Sequence, residues 1–207
     1  MNGVKRTDHF KDLEVTFDQG CRFNYHVDII VGKAFKMLGF LMRCSKWFRD
    51  IDSILSLYKS IVRSNLEYAT TIWCPYYTSY IDKIETVQRR FTRFIFKKFH
   101  IPYTNYEDRL MILNLESLHV RRQKADLITL YKIMNGSLRT ECVAEIYVRR
   151  RRNIRNMNVF EIPRATSNRL FYSPIYRMCR LYNVKFNNEY LFNLPLSTFK
   201  RILNSKF

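Results

Sequence analysis

The stretch SYIDKIETVQRRFTRFIFKKF, residues 79–99, decides how the chain is read. At about 100° per residue, Ile84, Val87, Phe91, Phe94 and Ile95 fall within about 100° of arc, the apolar stripe of a helix packed on one side. Lys83, Arg90, Arg93 and Lys97 fall within about 80° on another side. A solvated face would normally mix signs, but here Asp82 and Glu85 stand only at the N-terminal end. One face suits a core and the other suits an anion.

Outward from this helix the pattern stays mainly helical. Residues 25–43 repeat apolar side chains at three and four (Ile30, Ala34, Met37, Leu38, Leu41), with Lys33, Lys36 and Arg43 on other faces. A helix is predicted over 52–73, with Asp50 and Asp52 at its positive end and Pro75 stopping it. Residues 10–17 alternate and read as one short strand, followed by a turn at Asp18-Gln19-Gly20. Downstream, Pro102 breaks the pattern, and helices are expected over 106–113 and 119–135, the second closed by Gly136. Residues 159–162 and 169–172 read as extended pieces, Ser173-Pro174 starts a helix, and 196–203 forms the last. The expected fold class is mainly α: a helical bundle after a short N-terminal β segment, with a basic C-terminal extension of helix and irregular chain. The expected segments are 1–23, 24–100, 101–145 and 146–207.

The charge narrows the partners. A surplus of +18 on 207 residues points to a polyanion, nucleic acid before acidic membrane. Residues 146–207 hold 13 Lys and Arg against only Glu161 and Glu189, and their focus is Arg149, Arg150, Arg151 and Arg152. Four consecutive arginines cannot share one helix face, so a loop wrapped on phosphates is the natural reading. The alternatives are a nuclear localisation signal or an unspecific basic tail.

Several classes find no support. No GxGxxG, GxxxxGK, GxSxG or HExxH occurs, and no Asp-Asp pair. Asp50-x-Asp52 is read as helix N-terminal charge rather than as a metal site, and the four histidines show no motif spacing. No catalytic residue, metal ligand or cofactor is therefore assigned. The five cysteines form no CxxC, their nearest ligand partner is Cys21 with His26, and small buried thiols are expected. There is no run of 18 apolar residues and no apolar stretch in the first 20, so no membrane partner is expected and the location is intracellular, cytoplasm or nucleus.

An ordered set of short matches then resembles one family. Asp12-Leu13-x-Val15-x-Phe17-Asp18, Phe23-Asn24-x-His26 and Lys33-Ala34-x-Lys36-Met37-Leu38-Gly39 are similar to the end of the polymerase palm and the segment after it in jockey-like non-LTR retrotransposon reverse transcriptases. Leu66-Glu67-Tyr68-Ala69, Trp73-x-Pro75, Ile81-Asp82-Lys83-Ile84-Glu85-x-Val87-Gln88-Arg89, Leu115-Glu116-Ser117-Leu118, Arg121-Arg122 and Asp126-Leu127 continue it, and Ser173-Pro174-Ile175-x-Arg177-Met178 and Tyr182-Asn183 come next in order. The resemblance implies an RNA-directed DNA polymerase fragment. Leu13, Glu14 and Val15 would lie in a primer-region strand, 24–100 would be a thumb-like helical bundle on the template–primer duplex, and 146–207 would be the extension.

The resemblance further implies that the Mg²⁺-binding aspartates lie upstream, in palm and fingers domains missing here, so no polymerisation is expected from these residues alone. The partners implied are RNA, DNA or their hybrid, gripped through the backbone without sequence preference. One departure stands out: the family usually has glycine where this chain has Glu14. A carboxylate there would repel a primer phosphate and suggests a decayed copy. The alternative is a stand-alone, sequence-nonspecific nucleic-acid-binding helical protein derived from such an element.

Overall fold

The computed structural model describes residues 8–138, 147–148, 158–186 and 189–207. Two units divide the chain, Met1–Arg121 and Arg122–Phe207. The architecture is mainly α with a short two-stranded sheet at the N-terminal side, as the periodicity predicts.

The first unit begins with a hairpin where the sequence reading placed one strand. β1 (His9–Asp12) pairs antiparallel with β2 (Val15–Asp18), with Phe10 opposite Phe17 and Asp12 opposite Val15. Leu13 and Glu14 form the two-residue turn, at φ +43° and +66°. Two consecutive positive φ values give the turn whose twist matches that of the strands. The spacing carried the break: Phe10 and Leu13 are an odd number apart and cannot share a face of one strand. Asp18 then organises the exit, its carboxylate accepting from the backbone N–H groups of Gly20 (2.9 Å), Arg22 (3.1 Å) and Phe23 (2.8 Å).

α1 (Asn24–Cys44) comes next and buries Val27, Ile30, Val31, Ala34, Leu38 and Leu41. One turn of 3₁₀ helix, Ser45–Trp47, leads to α2 (Ile51–Leu57). Asp50 caps α2 by accepting from Asp52 N–H (3.3 Å) and Ser53 N–H (2.8 Å). The predicted single helix over 52–73 is broken. It widens into a π turn, Tyr58–Arg63, continues as α3 (Ser64–Glu67), reverses at Ala69 (φ +52°) and resumes as α4 (Thr70–Trp73). Side chains compete with the backbone in the widened turn: Ser64 Oγ donates to the Ser60 carbonyl (2.5 Å) and Asn65 Nδ2 to the Ile61 carbonyl (2.6 Å). The reversal buries the Trp73 ring, whose N–H donates to the Tyr68 carbonyl (2.7 Å).

α5 (Thr78–Lys98) packs along α1, and its Phe91 ring stacks on Tyr58 at 3.8 Å. α6 (Tyr106–Ile112) is capped by Asn105, which accepts from Asp108 N–H (2.8 Å). α7 (Leu118–Met134) contains the division between the units.

In the second unit, α7 ends at Gly136 (φ +66°). Ser137 N–H reaches the Lys132 carbonyl (2.9 Å) and Gly136 N–H the Ile133 carbonyl (3.0 Å), the paired bonds of a left-handed helix stop. β3 (Tyr147–Val148) pairs antiparallel with β4 (Phe160–Glu161). The expected extended piece at 169–172 is instead a short helix, α8 (Asn168–Phe171), because Ser167 Oγ caps it by accepting from Leu170 N–H (3.3 Å). α9 (Pro174–Phe186) and α10 (Leu196–Ser205) fall where the sequence placed them. Leu127 and Leu130 of α7 join an aromatic core of Tyr131, Phe160, Tyr182, Phe186, Phe192 and Phe199.

Candidate nucleic-acid interface

α5 presents the two faces its sequence predicts. Ile84, Val87, Phe91 and Ile95 are fully buried, whereas Phe94, assigned to the core from the sequence, is only half-buried. Lys83, Arg90, Arg93 and Lys97 are all exposed on one side. At about 1.5 Å rise per residue, the row from Lys83 to Lys97 is about 21 Å long.

α1 borders this row and runs in the same direction. Asp28 meets Lys83 at 2.5 Å, the Phe35 ring lies 5.7 Å from the Arg90 guanidinium, and the Lys46 carbonyl just past α1 accepts from Lys98 Nζ at 2.9 Å. The Lys83–Asp28 pair is about half exposed, and such pairs contribute at most about 1 kcal/mol. Phe35 offers Arg90 the face of its ring, at the outer range of a cation–π contact. Arg93 and Lys97 make no hydrogen bond or ion pair among the described residues.

Behind the row, α5 is held by a buried polar network. The Tyr58 hydroxyl donates to Gln88 Oε1 (3.0 Å), and Gln88 Nε2 donates to the Tyr106 hydroxyl oxygen (3.2 Å) and the Glu116 carbonyl (2.9 Å). The Tyr106 hydroxyl donates to Glu85, which also accepts from Leu118 N–H (3.2 Å). Burial holds both tyrosine hydroxyls well above their ordinary range, so they act as neutral donors. Buried Arg109 donates to Thr92 Oγ1 (3.2 Å) and the Thr104 carbonyl (2.7 Å). Arg121 grips Glu67 with two nitrogens, one at 3.0 Å, and that contact raises its pKa above the ordinary arginine value. Glu67, Gln88, Glu116 and Arg121 all belong to the ordered matches quoted above, and here they build the scaffold. Sequence reading alone gave them no role.

The hairpin residues stand differently from their sequence assignment. Leu13 is 79% exposed at the turn, Glu14 is beside it, and Val15 is 2% exposed and faces the core. Leu13 and Glu14 form the turn, and only Val15 belongs to a strand, as the first residue of β2. Glu14 is drawn down in pKa by hydrogen bonds from Lys11 (2.6 Å) and then Lys33 (3.3 Å). β2 is anchored through Thr16 N–H, which donates to His26 Nδ1 (3.2 Å). The His26 ring lies edge-on to Trp73 at 5.1 Å, and burial, aided by Lys33, lowers its pKa to about 4.

Arg149, Arg150, Arg151 and Arg152 lie outside the described residues. Of the cysteines described, only Cys179 is buried, which pushes its thiol up to about 12; Cys44 is exposed and Cys21 and Cys74 are half-buried, so the expectation of buried thiols is corrected. Among the described residues no group of three His, Cys, Asp or Glu side chains is placed to hold a metal ion. The described residues thus offer no ligand set for the Mg²⁺ pair that the resemblance places upstream. Among the described residues no helix is long and apolar enough to cross a membrane.

The chain is 26% identical over 125 residues to the uncharacterized protein B0403.1 of Caenorhabditis elegans, a match covering 60% of this chain and 63% of that protein. The match thus spans less than two thirds of the relative's length. No family model matches the chain, and no solved structure matches it.

Proposed function

We propose that the chain is the C-terminal part of a non-LTR retrotransposon reverse transcriptase, with 24–100 as a thumb that grips the template–primer backbone. The observation that carries this reading is the exposed row Lys83, Arg90, Arg93 and Lys97, set on a helix whose opposite side is locked by buried hydrogen bonds. Cations at this spacing neutralise phosphates without reading base edges. RNA, DNA or hybrid would serve as partner, and the arginines at 149–152 would add sequence-independent affinity. The carboxylate of Glu14, at a turn position where the family usually carries glycine, favours a second reading. In it the bundle persists as a stand-alone nucleic-acid-binding protein.

The test is the affinity for a blunt RNA–DNA hybrid across a salt series. With three to four phosphates neutralised, the logarithm of the binding constant should fall with the logarithm of salt at a slope of about −3. Replacing Lys83, Arg90, Arg93 and Lys97 together by alanine should flatten that slope, with the circular dichroism unchanged. A binding constant indifferent to salt defeats both readings.

A further inference from the structure

Past the C-terminal end of the basic row lies an open groove of about 370 Å³, lined by Met42, Arg43, Lys46, Phe94 and Lys98. Its chemistry is one-sided: two apolar side chains, three cations and no carboxylate. Lys98 is fixed there by its bond to the Lys46 carbonyl. Next in sequence to Lys46 stands Trp47, 83% exposed, with the Lys46 ammonium 5.4 Å from its ring. The indole thus stands exposed next to the groove, against the ammonium of Lys46, one of its three cations.

We propose that this groove binds unpaired nucleotides of a single strand. Phosphates would sit against Arg43, Lys46 and Lys98, and bases would lie on Met42, Phe94 and the Trp47 face. Charge complementarity commits the occupant: a protein partner of ordinary composition would meet three cations with no carboxylate among the lining residues, whereas each nucleotide brings one anion and one flat apolar ring. Apolar floor and cationic rim are the two elements that single-strand sites combine. Duplex lacks accessible base faces, so it has no use for the exposed indole. The inference rests on the duplex reading above in one respect, that the groove continues the Lys83–Lys97 row. The single strand would then be the overhang of a bound hybrid.

The chain reports on this groove by itself. It has two tryptophans, and Trp73 is fully buried, so quenching by a ligand reads Trp47. Oligo(dT) should quench the fluorescence of the full chain. A hybrid with a single-stranded overhang should bind about tenfold tighter than the same hybrid blunt-ended. W47A should abolish that gain and leave blunt-hybrid affinity unchanged, and K98A should reduce it. Equal affinity for blunt and overhanging hybrids, or a gain that survives W47A, overturns the proposal while leaving the duplex reading standing. Quenching by oligo(dT) without any blunt-hybrid binding keeps the groove and defeats the duplex reading. Quenching by phosphatidylserine vesicles but not by oligo(dT) overturns the groove as a nucleic-acid site.

Discussion

In the Met1–Arg121 unit one buried polar network comes from the middle of helices: Glu85, Gln88 and Thr92 of α5 and Arg109 of α6, with the hydroxyls of Tyr58 and Tyr106. In the Arg122–Phe207 unit Asn183, Tyr182 and Tyr131 instead bond to backbone outside the helices. Asn183 accepts from Phe160 N–H (3.1 Å) and donates to its carbonyl (2.9 Å), as a neighbouring strand would. The Tyr182 hydroxyl donates to the Glu189 carbonyl (2.8 Å) and accepts from Leu191 N–H (3.0 Å), and Tyr131 donates to the Leu194 carbonyl (2.5 Å). The contrast has a physical cause. Long helices satisfy their own backbones, so side-chain networks are left to fix register. Short helices and two-residue strands leave backbone groups open, and a core rich in Tyr and Asn supplies their partners. A buried ion pair of the second unit, Arg177 Nε to Asp126 Oδ2 at 2.8 Å with a second bond at 3.0 Å, joins α9 to α7.

The comparison can be broken first at Gln88. Gln88→Leu removes three hydrogen bonds and strands the Tyr58 hydroxyl and the Glu116 carbonyl, so the first unit should lose about 4 kcal/mol in urea unfolding. Hydrogen exchange resolved by unit should show the second unit little changed. Acid provides the next test. All four histidines lie in the first unit, and His26 falls from the ordinary 6.5 to about 4 on folding. The folded state binds this proton less readily, so the contribution is intact above pH 6.5 and is lost as pH falls toward 4, about 3 kcal/mol in all. His26→Phe should flatten that pH dependence. Asn183→Ala should cost the second unit about 2 kcal/mol through the two lost bonds to Phe160 and leave α5 protection unchanged. The smallest effect is a gain: Glu14→Gly relieves a positive φ and should stabilise the hairpin by about 0.5 kcal/mol, net of the weak Lys11 contact.

The legible parts of the sequence were those where periodicity decides alone. α1, α5 and α10 fell within a residue or two of expectation, α9 starts where expected and runs on to Phe186, and the row from Lys83 to Lys97 is exposed as predicted. The illegible parts depend on distant partners. The break at Ala69 is stabilised by Trp73 reaching the Tyr68 carbonyl, and periodicity over 52–73 carries no trace of it. α8 looked extended because Leu170, Phe171 and Tyr172 favour strands, while a single serine cap decides otherwise. Glu85 read only as charge at the N-terminal end of α5 and Gln88 carried no role, and only their tyrosine partners from elsewhere in the chain explain their burial. The groove escaped notice because Lys46 and Trp47 lie past a helix end, where helical angles no longer place side chains.

The parallel run of α1 and α5 has an electrical consequence. Antiparallel neighbours cancel their peptide dipoles, but these two bring both carbonyl ends to the same place, each equivalent to about half a negative charge. Arg43 in the last turn of α1, and Lys97 and Lys98 in the last turn of α5, answer that field, each by about 0.3–1 kcal/mol at low ionic strength. Part of the positive charge at this end of the bundle is therefore structural, spent on the helices before any ligand arrives. A variant stripped of these cations would lose hold of its helix ends as well as of an anion, whereas Lys83, Arg90 and Arg93, set further back along α5, carry charge without that duty.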